Sequence, residues 1–223
     1  MLKKVLIYSH GFGVQKDSRG MFSEIAAEFD YYENVLFDYN KISDDGTVTV
    51  EPLKKQIVIL EKVIKQFREE NKDVEINLIC HSMGCVVAAS LKPKDINKTI
   101  FIAPPTHFDA IKTINYFKNR PGTKIDIKGN SSIKRADGTI TIVPHTYWDQ
   151  IKDINMIEIY NDYPNLNKLY IIEAGDEDVL ETVDFTNLNK TINLSTIANA
   201  NHNFTDSYRP ILINKIKNII NKD

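Results

Sequence analysis

The sequence has two cysteines, one tryptophan and no long hydrophobic run, and each shortage removes a class of protein. The thiols Cys80 and Cys85 are too few to staple a small secreted framework. They flank what reads as a strand-to-helix turn, which would hold a bridge awkwardly, so both are expected to be small buried fillers in a reducing compartment. No stretch approaches the about 20 apolar residues of a membrane span. The opening Met1-Leu2-Lys3-Lys4-Val5-Leu6-Ile7-Tyr8 has the charged start of a leader, but its apolar run is short and ends at Ser9-His10-Gly11. A cytoplasmic protein is therefore expected. A net charge of −2 gives no argument for nucleic acid or for an anionic membrane surface, and neither is expected as a partner. Neither G-x-G-x-x-G nor G-x-x-x-x-G-K-[ST] occurs, and the five histidines and two cysteines show no metal-ligand spacing. No cofactor and no metal are expected.

What is present is a chain of 223 residues, 42% apolar and 26% charged, enough for one well-cored domain without requiring two. Compact apolar runs of strand length recur at 3–8, 34–39, 74–79, 98–103, 167–174 and 191–198. Between the first four lie helical patterns. Ser18 is the expected N-cap of a helix with Met21, Phe22, Ile25, Ala26 and Phe29 on its core face, and Pro52 suits the first turn of a long helix through Leu53, Ile57, Leu60, Ile64 and Phe67. Alternation of strand and helix predicts an α/β fold: a doubly wound, mainly parallel sheet with helices on both faces. The rhythm breaks at residues 106–163. There, alternating runs at 124–127 and 140–143 flank the turn signal Asp137-Gly138, with amphipathic pieces on either side. The expected organisation is a single domain, 1–223, whose core is 1–105 and 164–223, with 106–163 a small cap-like insertion.

The most informative stretch is Ile76-Asn77-Leu78-Ile79-Cys80-His81-Ser82-Met83-Gly84-Cys85. An apolar strand stops at a serine, and small residues at helical spacing follow. A strand, a sharp turn and a helix with a hydroxyl at the apex present a nucleophile above a sheet edge. The pattern is C-x-S-x-G, with Cys80 where G-x-S-x-G has its first glycine. Other polar residues also follow directly on strand runs: His10, then Asp176 and Asp178, then His202. In a doubly wound sheet that is where ligands bind.

His10-Gly11-Phe12-Gly13, Cys80-His81-Ser82-Met83-Gly84, Gly175-x-x-Asp178 and Asn201-His202-x-Phe204, in that order, make the sequence resemble the α/β-hydrolase family across nearly its whole length. The resemblance is to a compact form that begins at the strand bearing His-Gly, with a variable cap inserted after the strand that follows the nucleophile helix. It implies a catalytic triad of Ser82 as nucleophile, His202 as base and Asp178 as acid, with Asp176 the alternative acid and Glu177 within a register slip of both. It implies an oxyanion hole of the backbone N–H groups of Phe12 and Met83, and a structural role for His10. The expected activity is that of a serine hydrolase on an acyl bond, a small carboxylester foremost, with a small-molecule acyl substrate. Thioester, amide and acyl-transfer chemistry would use the same residues, and a hydrolase-fold binding protein with a vestigial triad is the alternative. In the insertion, Phe117, Tyr147 and Trp148 are candidate substrate-binding residues; Phe108 and Tyr116 add to the same aromatic supply, which could equally form the cap's own core. His107 and His145 read as surface residues. Lys134, Arg135 and Asp137 read as a solvated turn. The oligomeric state is left open.

Overall fold

Buried parallel strands must be apolar on both faces, because helices cover both. The computed structural model, which describes residues 3–108, 110–135, 138–180 and 183–222, follows that rule. Six strands form one sheet: β1 (Lys4–Ser9), β2 (Glu33–Leu36), β5 (Glu75–His81), β6 (Lys98–Ile102), β9 (Leu169–Ala174) and β10 (Asn193–Ile197). Their order is β10-β9-β6-β5-β1-β2, and every pairing is parallel. Alternate residues feed two separate cores. Val5, Ile7, Ile76, Leu78 and Phe101 face one; Leu6, Tyr8, Ile79, Ile100 and Ile172 face the other. Full burial of each such side chain contributes about 1.5–3 kcal/mol.

Helices α2 (Leu53–Glu70) and α3 (Met83–Leu91) cover the first face, and α1 (Met21–Ala27) and α7 (Tyr208–Asn221) the second. The chain runs from β1 to its neighbour β2 and then crosses back to β5 on the other side of β1. This reversal opens a crevice beyond the carboxyl ends of β1 and β5, the place where open α/β sheets bind ligands.

Residues 106–163 carry α4 (Ala110–Lys118), β7 (Ser131–Lys134), β8 (Ile140–Val143), α5 (His145–Ile151) and α6 (Met156–Asn161). The hairpin of β7 and β8 does not stand alone: β8 pairs in parallel with β4 (Val48–Thr49), itself paired with β3 (Lys41–Ile42), giving a second sheet of order β3-β4-β8-β7. The structure over the crevice is thus assembled from two distant parts of the chain.

Two local expectations need correction. Residues 124–127 are not a strand and make only a bridge from Lys124 to Ser132. Asp126 Oδ1 accepts from the N–H groups of Lys128 and Gly129, so the backbone there satisfies itself as a turn, and the hairpin's first strand is β7. Asp137 lies outside the described residues. Ser18 does not cap α1; Gly20, with φ of 86°, holds the N-cap position, and the Ser18 hydroxyl is directed at His81.

Candidate active site

Ser82 sits between β5 and α3 with φ of 53° and ψ of −126°, a conformation that costs a side-chain-bearing residue about 1–3 kcal/mol. Its neighbours hold it there. The Ser82 N–H donates to the Ile102 carbonyl at 2.9 Å, and the Ser82 carbonyl accepts from Cys85 N–H at 2.9 Å. Only glycine fits at position 84, because a Cβ there would run into the carbonyl oxygens of Ser9 and His10 where α3 passes over the end of β1. Cys80, by contrast, is fully buried below the elbow in the core shared with Cys85, and burial pushes both thiols well above their ordinary range. Ser9 ties the two strands to the helix: its hydroxyl donates to the Gly84 carbonyl at 2.9 Å and takes a bond from the Tyr39 hydroxyl at 2.8 Å.

The loop after β1 carries Phe12. His10 Nδ1–H donates to the Gly11 carbonyl (2.9 Å), and Nε2 accepts from the Tyr39 N–H (3.0 Å), which fixes the tautomer; burial lowers the ring's pKa and keeps it neutral. Gly13 takes φ of 61° beneath the Arg135 guanidinium, which also lies 5.5 Å from the centre of the Phe12 ring. Thr141 Oγ1, on β8, donates to the Gly13 carbonyl at 3.3 Å, so the small sheet pins this loop. Met83 is the first residue of α3, where N–H groups have no intrahelical acceptor and the helix dipole favours negative charge.

On the far side, β9 and β10 end in two loops that touch. His202, 4% exposed, is bonded through Nδ1 to Glu177 Oε2 at 2.8 Å. A carboxylate only accepts, so Nδ1 carries a proton. The other Glu177 oxygen accepts from the N–H groups of Val179 (2.9 Å) and Leu180 (3.0 Å), which locks the carboxylate. The carboxylate that meets the His202 ring is thus Glu177, and not Asp178 as expected. Asp178 Oδ1 instead accepts from the backbone N–H of His202 at 3.0 Å, so it holds the loop and not the ring. Asp176 contributes its N–H to the Ala200 carbonyl at 2.9 Å.

Ser82, Phe12 and Met83 open onto one cleft. Phe117, Tyr147 and Trp148 all line it, together with Phe108, Tyr116, Met156, Val179 and Leu180. Phe117, Tyr147 and Trp148 also pack in the buried core. Phe12 joins them, its ring 5.2 Å from Tyr147 and 5.8 Å from Trp148. No Lys, Arg, Asp or Glu lines the cleft among the described residues. His107, expected as a surface residue, is exposed but stands on the cleft wall.

The chain matches no protein-family model and no curated protein. Solved structures do match it over nearly its full length. The metagenome-derived lipolytic enzymes LipS and LipT provide a chain with TM-score 0.68 at 13% identity, covering 99% of this chain and 95% of that one. Est1E from Butyrivibrio proteoclasticus gives 0.63 at 19%, covering 98% and 87%. The Pyrococcus furiosus esterase Pf2001 gives 0.65 at 17%, covering 98% and 81%. The chain has the α/β-hydrolase fold.

Within that fold, Ser82 and His202 stand at the carboxyl ends of β5 and β10, on the same side of the sheet as Phe12. They are not hydrogen-bonded to each other; His81 connects them, next to Ser82 in sequence and bonded through Nε2 to the His202 carbonyl at 3.1 Å. Sequence reasoning missed Glu177 as the ring partner and His107 as cleft wall. The three consecutive acids at 176–178 offered no spacing signal to separate them. Among the described residues, no helix is long and apolar enough to cross a membrane, and no group of three or more His, Cys, Asp or Glu is placed to hold a metal ion.

Proposed function

We propose that this chain is a serine hydrolase that cleaves a neutral, apolar carboxylester, with Ser82 as nucleophile, His202 as base and Glu177 as acid. The observation that carries the reading is the backbone of Ser82: a non-glycine residue at φ 53° and ψ −126°, at a helix start facing an apolar cleft. Such strain persists where the surrounding structure enforces it, and a hydroxyl presented to the cleft at a strand-to-helix turn is what it gains. The esterases and lipolytic enzymes of the same fold support the reaction class.

In this account His202 Nε2 takes the Ser82 proton as Oγ attacks the ester carbonyl. The Nδ1–H bond to Glu177 fixes the tautomer and stabilises the imidazolium that forms. The N–H groups of Phe12 and Met83 receive the developing oxyanion, each donor contributing about 3–4 kcal/mol to lowering the barrier. His202 then protonates the departing alcohol. It next deprotonates a water that attacks the acyl-enzyme, and the proton returns to Ser82 Oγ as the acid leaves. The Ser82–His202 hydrogen bond forms on substrate binding, as such contacts often tighten only in the complex. Residues 106–163 act as the cap, and Phe117, Tyr147 and Trp148 bind the acyl group.

Because no charged side chain lines the cleft among the described residues, a charged acyl group would lose its hydration there without compensation. Steady-state assays with p-nitrophenyl butyrate and the p-nitrophenyl monoester of succinate check this. Butyrate is expected to turn over with kcat in the range of about 1–10³ s⁻¹, and succinate with kcat/KM lower by about 100-fold or more. Equal rates would contradict the apolar acyl site, and no hydrolysis of any neutral ester would favour the binding-protein reading.

A further inference from the structure

His202 is carried on a loop with an unusual backbone: Asn199, Phe204 and Asp206 have φ of 58°, 46° and 55°. A loop of this kind keeps one conformation only where outside contacts fix it. Besides the bonds from Asp176 and Asp178 already described, two further sets of contacts do so. On one side Arg209 donates to the carbonyls of Asn203 (2.9 Å) and Phe204 (3.1 Å), and its third nitrogen meets Glu24 at 3.0 Å. On the other, His81 Nε2 meets the His202 carbonyl at 3.1 Å. A carbonyl cannot donate, so His81 carries its proton on Nε2, and Nδ1 accepts the Ser18 hydroxyl proton at 3.0 Å.

The two imidazole rings are 4.9 Å apart, and Ser18, His81 and His202 are each less than 5% exposed. Ser18 reaches His81 through its own strained run: Ser18, Arg19 and Gly20 have φ of 48°, 61° and 86°. That strain sits where a helix N-cap would have satisfied the local sequence, and the residue it displaces from the cap is the one bonded to His81. Burial, with the neighbouring His202 ring, holds the His81 pKa well below the usual histidine range, so the donor stays in this form at neutral pH.

We propose that Ser18 and His81 form a positioning pair that sets where His202 stands relative to Ser82. This rests on the triad reading above. Ser18 donates to Nδ1 of His81 and holds the ring in the orientation whose Nε2–H fastens the backbone of His202 to the end of β5, directly before Ser82. Base and nucleophile are thereby referenced to one rigid element. Glu177 orients the ring, and the pair sets its place.

The test uses the full chain with Ser18→Ala, His81→Phe and His81→Gln, the last of which keeps an N–H donor. Each is assayed on p-nitrophenyl butyrate at a temperature where circular dichroism shows it folded, with hydrogen-exchange mass spectrometry across residues 199–206. His81→Phe should lower kcat by about 100-fold with KM within about threefold, the signature of displaced reacting groups. Ser18→Ala should lower kcat by about tenfold, His81→Gln should recover most of the loss, and exchange across 199–206 should speed up in the first two variants. Wild-type kcat in folded Ser18→Ala or His81→Phe, or unchanged exchange, overturns the proposal. Should His81→Phe not fold, Ser18→Ala carries the test, since it removes one hydroxyl only. Wild-type protein that hydrolyses no ester contradicts the triad reading, and the exchange data still decide whether the pair fastens the loop.

Discussion

Replacing Ser82 with alanine is expected to lower kcat by about 10⁵–10⁶-fold while leaving the fold intact, as removal of a nucleophile does in triad enzymes. Alanine keeps a Cβ at φ 53°, so it retains the strain of the elbow and should unfold close to the wild-type midpoint. Glycine at the same position is the more revealing change. It removes the hydroxyl and the backbone strain together, and should be as inactive as alanine yet more stable by about 1 kcal/mol. Activity on p-nitrophenyl butyrate and thermal unfolding of the two variants measure both halves. Stability gained as activity is lost is the mark of a residue held in place for chemistry. A glycine variant less stable than wild type would mean that the Ser82 side chain supports the fold.

The second large effect separates the three neighbouring acids. Glu177→Gln is expected to lower kcat by about 10³–10⁴-fold, because an amide facing Nδ1 can favour the wrong imidazole tautomer and no longer stabilises the imidazolium. Asp178→Asn should cost less than about tenfold: its contact is to the His202 backbone N–H, which the remaining amide oxygen can still accept. Glutamate suits the ring position through reach, since one oxygen meets His202 while the other binds the N–H groups of Val179 and Leu180. Steady-state kinetics of the two variants decide the matter, and the opposite ranking would return the role to Asp178.

The sheet was legible because its strands are buried on both faces and therefore appear as unbroken apolar runs between helical patterns. Strands β3 and β4 had no such signature. Each has two residues, and both residues of β3 are exposed, so no run of hydrophobicity marks them. β3 pairs with β4, and β4 in turn with β8, nearly a hundred positions away, and pairing at that distance leaves no local trace. Residues 124–127 failed in the opposite sense: the alternation is present, yet Asp126 offers the backbone a closer partner than a neighbouring strand does.

At the site, the structure brings Ser82, Phe12 and Met83 to one cleft. Ser82 and His202 were singled out because each comes after a strand run, and Phe12 and Met83 through the family resemblance. Glu177 was not, because order along the chain gives the loop and not the side chain that turns inward. Ser18 shows the same limit. Serine before a helical pattern reads as a cap, and only the crossing of the loop over β5 shows that His81 receives it. Cys80, which breaks the G-x-S-x-G pattern, is accommodated because the position faces a core, whereas Gly84 faces the backbone of β1 and admits no side chain.

The central claim is that Ser82 is a nucleophile activated by His202. Reaction with a fluorophosphonate, followed by peptide mass spectrometry, tests it without any assumption about the natural ester. The account predicts one adduct per chain, located on Ser82, and labelling slowed by orders of magnitude in His202→Ala. A folded wild-type protein that takes up no label, or takes it up elsewhere, would contradict it.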